Sequence, residues 1–268
     1  MRIFFVFILL FSLVFCLLLY WLPGGPSRSA YLEESMPQYT SFLGKNVLIF
    51  NPSMEMDDVQ KVLDALHEQQ EYNQFGQERY AILFEPGEYD LKVTVDYYVH
   101  AAGLGRLPGD VQINGTVQSD SSKGKNRNVT TMFWRAAENF SVVAEDYVYW
   151  AVSQAAPYRR MHIKGDLRLD HGGWASGGYL ANSIIEGQAG LSSGQQWFTR
   201  NCQLGSWTGG NWNRSFLGTI GAPEDVWPTK PTTVIDKTPV LREKPFLMVD
   251  AEGEYGVFVP DLIRSSSG

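Results

Sequence analysis

The sequence predicts a mainly β chain whose strands stack in parallel as a solenoid, entered through one α-helix. Two observations carry this. Four segments align without forcing: Asn139-Phe-Ser-Val142, Arg160-Met-His-Ile-Lys-Gly165, Asn182-Ser-Ile-Ile-Glu-Gly187 and Asn201-Cys-Gln-Leu-Gly205. Their first residues are 21, 22 and 19 apart, and a period of about 20 with one short strand per repeat is that of a parallel solenoid. Secondly, no 3.6-residue pattern accompanies these repeats, which excludes a helical solenoid with two helices per unit.

Taken in chain order, the first element is an apolar run. Ile3 to Leu22 is broken only by Ser12 and has Arg2 as its one charged neighbour. Twenty residues at 1.5 Å rise span about 30 Å, the thickness of a bilayer core. Tyr20-Trp21 resembles an interfacial belt. Residues 1–22 therefore read as an uncleaved signal anchor, or as a signal peptide cleaved after Gly24 or Ser29. With Arg2 inside, the bulk of the chain lies in a lumen or outside the cell. Pro23 to Ser29 begins a stem over 23–40, and the β domain is expected over 41–265. Asn46 to Phe50 reads as a strand ended by Asn51-Pro52. Ser53 is a candidate N-cap for a helix over Met56 to Gln70, where Val59, Val62, Leu63 and Leu66 recur at helical spacing. Asp57 and Asp58 suit the positive end of its dipole. Tyr80 to Phe84 reads as a buried strand, closed by Glu85-Pro-Gly-Glu-Tyr89.

Within the repeats, alternation assigns directions. Phe140, Met161, Ser183 and Cys202 stack inward, as do Val142, Ile163, Ile185 and Leu204. Ser141, His162, Ile184 and Gln203 face outward, an awkward place for Ile184 unless something covers it. Asn139, Arg160, Asn182 and Asn201 form a ladder at the turn, because asparagine tolerates left-handed backbone.

Composition limits function. The 268 residues carry 22 Lys+Arg against 29 Asp+Glu, and without Arg2 and Arg28 the remainder stands at 20 against 29, a net of −9. That excludes a general nucleic-acid binder, which needs a basic footprint, and weighs against a polyanionic substrate. Four sequons, at Asn114, Asn128, Asn139 and Asn213, point to a glycosylated protein of a eukaryotic secretory pathway. Cys16 lies in the apolar run and Cys202 stands alone beyond it, so no intrachain disulfide staples the solenoid. His67, His100, His162 and His171 have no metal-ligand spacing, and no cofactor motif is present. Gly103-Leu-Gly105 lacks the third glycine of a dinucleotide loop.

The runs Met56-Asp-Asp-Val59 through Phe84-Glu-Pro-Gly-Glu-Tyr89 resemble the entry of pectate-lyase-like right-handed parallel β-helices. There, a helix caps the solenoid and a Pro-Gly-x-Tyr turn starts the first coil. His100-Ala-Ala-Gly-Leu-Gly105 and Val111-Gln-Ile-Asn-Gly115 look like the next coil. Asn46-Val-Leu-Ile-Phe-Asn-Pro52, Trp150-Ala-Val-Ser-Gln-Ala-Ala-Pro157, Ala175-Ser-Gly-Gly178, Arg242-Glu-Lys-Pro245 and Val257-Phe-Val-Pro260 are similar to a subgroup of secreted, mostly uncharacterised polysaccharide-associated β-helix proteins. These occur in actinobacteria and fungi, some with discoidin-type modules. The resemblance covers about residues 40–262 and implies a right-handed parallel β-helix facing carbohydrate. Those relatives run on past the Val-Phe-Val-Pro segment into further coils, which implies either a fragment or a shortened protein that has lost part of a groove.

Hydrolysis of a polysaccharide needs two carboxylates, about 5–5.5 Å apart in retaining and 6.5–9.5 Å in inverting enzymes. Neighbouring coils can supply such a pair. Asp166 and Asp170 after one strand, with Glu186 on the next coil, are the candidate catalytic residues, and Lys164 and His171 lie close by. Trp174, Trp197, Trp207, Trp212 and Trp227 fall within 54 residues amid Gly, Ser and Asn. Flat rings of this kind pack against sugar faces, or against a solenoid's own loops. Trp174, Trp197, Trp207 and Trp212, with Arg159, Arg160 and His171, are the candidate substrate-binding residues. A lyase scheme would use Arg159-Arg160 with a Ca²⁺ held by clustered carboxylates, and the acids are not so clustered. A membrane-anchored glycosyltransferase shares the layout but would need an Asp-x-Asp run beside a nucleotide fold. Two readings lead: a glycoside hydrolase acting on neutral glucan, and a non-catalytic or relic glycan-binding solenoid.

Overall fold

A computed structural model describes residues 32, 34–120, 127–192, 194–210, 212–224 and 226–268. The apolar run 3–22 and most of the stem lie outside the described residues. The chain is a parallel β-solenoid with three faces. On the first face, strands Gly44–Phe50, Tyr80–Phe84, Val99–Gly103, Ala136–Val143, Pro157–Ile163, Tyr179–Ala181, Trp197–Arg200, Arg214–Leu217 and Thr232–Ile235 stack in that order, every pair parallel. The second face stacks Gly87–Tyr89, Val111–Asn114 and then residues 141–143, 162–163, 184–185 and 203–204. The third stacks Lys92–Thr94, Thr116–Gln118, Tyr147–Tyr149, Asp166–Arg168 and residues 189–191 and 207–209.

The repeats sit in the register their sequence predicts. Phe140 pairs with Met161, Ser141 with His162, His162 with Ile184 and Ile184 with Gln203. Phe140, Met161, Ser183 and Cys202 are all buried, as are Val142, Ile163, Ile185 and Leu204. Burial pushes the Cys202 thiol up to about 12, so it packs as a small apolar group. Ile184 stays 40% exposed, uncovered by the described residues. The corner ladder is left-handed throughout: φ is 66° at Asn139, 50° at Arg160, 49° at Asn182 and 53° at Asn201. Asn139 Nδ2 donates to the carbonyls of Gly103 (2.8 Å) and Gly105 (2.6 Å), and Asn201 Nδ2 donates to Asn182 Oδ1 (3.0 Å). Arg160 offsets an unfavourable backbone through bonds from its Nη2 to Arg106 O (2.7 Å) and Asn139 Oδ1 (3.1 Å).

Helix α1, Met56–Gln70, buries Val59, Val62, Leu63, Ala65, Leu66 and Gln70 in the core of the first coils. Polar bonds fix its seat: His67 Nδ1 lies 2.7 Å from Asp96 Oδ2, and Gln70 Nε2 donates to Tyr97 O at 2.8 Å. Its N-cap is Glu55, not Ser53. Ser53 instead donates its hydroxyl to Asn51 Oδ1 (2.6 Å), closing the turn after the strand. The packed unit also begins earlier than residue 41, since Leu32 and Tyr39 are buried and Tyr39 meets Phe50 at 5.3 Å.

After Thr232–Ile235 the chain folds back over the outer side of the first face. Thr238–Arg242 pairs antiparallel with Leu262–Ser266, and Phe246–Val249 with Tyr255–Phe258. This returning segment covers Leu83, Ala102 and Leu104 with Val249 and Tyr255. It also seals a charged cluster. Glu138 Oε1 lies 2.9 Å from His100 Nε2 and 2.6 Å from Lys244 Nζ. Glu243 pairs with Arg159 and Arg200, each at 2.7 Å, and accepts a bond from Asn182. Arg160 stacks on Phe246, 3.9 Å from the ring centroid.

Burial raises the Glu138 carboxyl, but His100 and Lys244 outweigh it and hold the group at about 2 instead of 4.5. A depressed carboxyl stabilises the fold above its unfolded value and loses that contribution as pH falls toward the folded value. About 3 kcal/mol should therefore disappear between roughly pH 4.5 and 2. Urea midpoints across that range should fall steeply for the parent chain and more gently for Glu138→Gln, which should itself cost about 3 kcal/mol near neutrality.

Asn139 is fully buried, so the sequon there is a corner of the fold and not an open acceptor. Asn128 and Asn213 are exposed. In material secreted from a eukaryotic host, peptide mass spectrometry should find no glycan at Asn139. Asn139→Ala should cost about 2–4 kcal/mol through two lost buried bonds and a left-handed alanine.

Candidate functional site

The third face alternates strictly. Val93, Val117, Val148, Leu167 and Ala189 point inward and are fully buried. Their neighbours Tyr147, Tyr149, Asp166, Arg168, Gln188 and Gly190 therefore point outward. Over these lies a cleft of about 600 Å³ whose wall continues through Asp170, His171, Ser192 and Arg127.

Asp166 accepts a bond from the backbone N–H of Gln188, one coil on, at 2.8 Å to Oδ1, and its other oxygen has no hydrogen bond among the described residues. Asp170 is differently placed. Its Oδ1 accepts from Gly172 N (2.8 Å) and Ser192 Oγ (2.7 Å), its Oδ2 from Ser192 N (2.5 Å), and it is 6% exposed. It ties one coil's turn to the next. His171 lies flat on Tyr149, ring centroids 3.8 Å apart, with Nε2 2.7 Å from Asp120 Oδ1. Arg127 Nη1 donates to His171 O (3.2 Å), and the Arg168 guanidinium covers Tyr147 at 3.4 Å.

The three candidate acids are differently engaged. Asp166 and Asp170 share the cleft, but Asp170 spends both carboxylate oxygens on Gly172 and Ser192, whereas Asp166 spends one on Gln188. Glu186 belongs to the second face, with Oε1 2.7 Å from His162 Nε2. The corner at Gly165 and Gly187, bonded N to O at 2.9 Å, lies between its face and that of Asp166. Among the described residues no three His, Cys, Asp or Glu side chains gather as a metal site needs.

The other candidates also separate. Trp174 is 70% and Trp212 55% exposed. Trp197 is buried, with its Nε1 donating to Thr199 Oγ1 (3.1 Å); it is a core residue and presents no face to a ligand. Trp207 is half-buried, packed edge-on against Phe216 at 4.9 Å. Arg159 and Arg160 belong to the first face and the corner, occupied by Glu243 and by Phe246, so both are structural. Of the expected binding residues, His171 lines the cleft.

Comparison with known proteins adds a second line. No family model matches the chain. It is 48% identical over 230 residues to an exo-β-1,3-glucanase of Streptomyces sp. (strain SirexAA-E / ActE), covering 84% of this chain and 37% of that protein. The solved structure of sacteLam55A from Streptomyces sp. SirexAA-E is similar, with a TM-score of 0.81 at 46% identity. A glutamate-to-alanine variant of sacteLam55A in complex with glucose gives 0.80 at 45%. This chain shares their fold. It spans 42% of the length of each of those structures, and they cover 85% of it. The expectation of mostly uncharacterised relatives is thus corrected, since this one is named for its activity.

Tyr149, Asp120, Arg127 and Gln188 were not among the residues the sequence singled out. A signal existed: Tyr147 and Tyr149 pair in register with Asp166 and Arg168, so extending the repeat alignment into the third strand of each coil exposes them. Because Asp170 bonds across coils, Asp170→Ala should act on stability, lowering it by about 2–3 kcal/mol through unsatisfied donors on Gly172 and Ser192. Thermal unfolding of the purified variant measures this.

Proposed function

We propose that the chain acts on neutral β-glucan of the β-1,3-linked class, with the third-face cleft holding the polysaccharide. The observation that carries this is an open polar cleft on a chain nearly half identical to an exo-β-1,3-glucanase. Its walls offer amides, hydroxyls, carboxylates and tyrosine rings, which suit sugar hydroxyls and C–H faces. A net charge of −7 disfavours polyuronates. Asp166 is the one candidate acid in the cleft with an oxygen left for a ligand. On the hydrolytic reading it is the general acid or base. The same reading takes residues 3–22 as an anchor or leader that delivers the solenoid to a lumen or the cell exterior, with the exposed Asn128 and Asn213 as glycan acceptors.

The engagement of Asp170 by Gly172 and Ser192 and of Glu186 by His162 favours a second reading, a solenoid that binds glucan without cleaving it. Reducing-sugar release from a soluble β-1,3-glucan, measured beside binding to the same polymer, separates the two. Hydrolysis by this chain predicts release that falls about 10²–10⁴-fold in Asp166→Ala with binding retained. Binding without release in the parent chain supports the second reading. Absence of both discards the glucan assignment.

A further inference from the structure

The cleft over Asp166 does not end at Tyr149. A second concave segment of about 510 Å³ begins there and runs toward the N-terminal coils past Asp120, Thr116, Asn114, Lys92 and Asp90. The two segments share Tyr149 as a wall. Their floor is made of two columns of outward residues, one per rung. Lys92 pairs with Thr116, Tyr147 with Asp166, and Gln188 with Ser206. Beside them Thr94 pairs with Gln118, Tyr149 with Arg168, and Gly190 with Thr208. The bridge between Ser119 and Trp150 carries the register across the one gap. Six rungs at about 4.8 Å spacing make a track of about 24 Å, longer than a single pyranose ring.

The distal segment has unspent hydrogen-bonding capacity. Thr116 Oγ1 is buried without a partner, a state that costs free energy until something bonds to it. Beside it, Asn114 Nδ2 donates to Asp90 Oδ1 at 3.0 Å, which fixes an amide and a carboxylate at the rim. Asp90 and Asp120 against Lys92 leave this segment acidic, so it disfavours a uronate polymer and accepts an uncharged one.

We infer that the third face is an extended track for a single uncharged glucan chain, in which Asp90, Lys92, Asn114 and Thr116 form a distal binding site joined to the Asp166 cleft at Tyr149. The inference rests on the glucan reading above and adds to it a dependence on chain length. A longer oligosaccharide engages both segments at once, whereas a short one fills only the first.

Calorimetric titration of the full chain, made in a bacterial host so that Asn114 carries no glycan, tests this with β-1,3-linked gluco-oligosaccharides of two and of eight units. The longer ligand should bind at least about tenfold more tightly. Asp90→Ala/Lys92→Ala and Thr116→Val should each remove much of that gain while leaving the short ligand's affinity unchanged. Thr116→Val deletes an unbonded buried hydroxyl and should leave the melting temperature equal to or above the parent's. Equal affinity for the two lengths overturns the track. So does a length gain that survives the distal variants, or variants that weaken both ligands alike. Failure of either ligand to bind overturns the glucan reading itself.

Discussion

Successive coils of this solenoid must turn their corners at the same height, and in four of them a left-handed residue between the first and second faces enforces that. A parallel ladder bonds only in register, and a slip of one residue would send each inward side chain to the surface. The column of Asn139, Arg160, Asn182 and Asn201 fixes the register by geometry and by its own bonds, Asn139 to the preceding coil's carbonyls and Asn201 to Asn182. Phe140, Met161, Ser183 and Cys202 follow that corner directly and are therefore the inner stack. The core depends on the corner more than the corner depends on the core, because apolar packing alone is non-directional.

The returning C-terminal segment obeys a different constraint. It lies against the outward side of the first face, where the chain has placed charges beside an apolar patch of Leu83, Ala102 and Leu104. Glu138, Arg159 and Arg200 would be ordinary surface residues on a bare solenoid. Covered, they need partners, and Lys244 and Glu243 from the returning strand supply them. A buried ion pair contributes little net stability over an apolar contact, but an unmatched one is strongly destabilising. The cluster therefore specifies where the segment docks more than how tightly it is held.

Much of this was legible in the sequence, and the failures have physical causes. The helix over Met56–Gln70, the strand Tyr80–Phe84 and the pairing of Ser141, His162, Ile184 and Gln203 follow from periodicity alone. Alternation separates inward from outward, but it is blind to whether an outward side is covered, which hid the fates of Arg159 and Arg160. At Asn139 two local signals conflicted, a ladder position and a sequon. The ladder prevails because a residue with a left-handed backbone and two buried amide bonds has no free nitrogen for a glycan. Trp174 and Trp197 looked equivalent in composition. Trp197 opens a first-face strand and is turned into the core, whereas Trp174 lies in the irregular stretch before Tyr179–Ala181, where alternation assigns no direction. Stacked coils bring equivalent positions together, and Asp166, Asp170 and Glu186 are not equivalent, so the repeat alone does not pair them.

The position of the groove follows from the same logic by elimination. The first face is closed by the returning segment, and the second carries His162 and Glu186 bonded to each other across a rung, with Lys164 donating to Gln112 at 2.8 Å. The third face alone keeps outward groups low and open. Gly190 illustrates the requirement: a Cβ there would meet Thr208 O at 2.2 Å, so the backbone of one rung already rests against the next and no side chain can rise between them. Around that flat floor stand Tyr149 with His171, Asp166 and Arg168, each held by a neighbour on an adjacent coil or turn. A rigid floor with preorganised walls lowers the ordering cost of binding a flexible polymer, which a solenoid supplies because its rungs are fixed by the corner column on the opposite side of each coil.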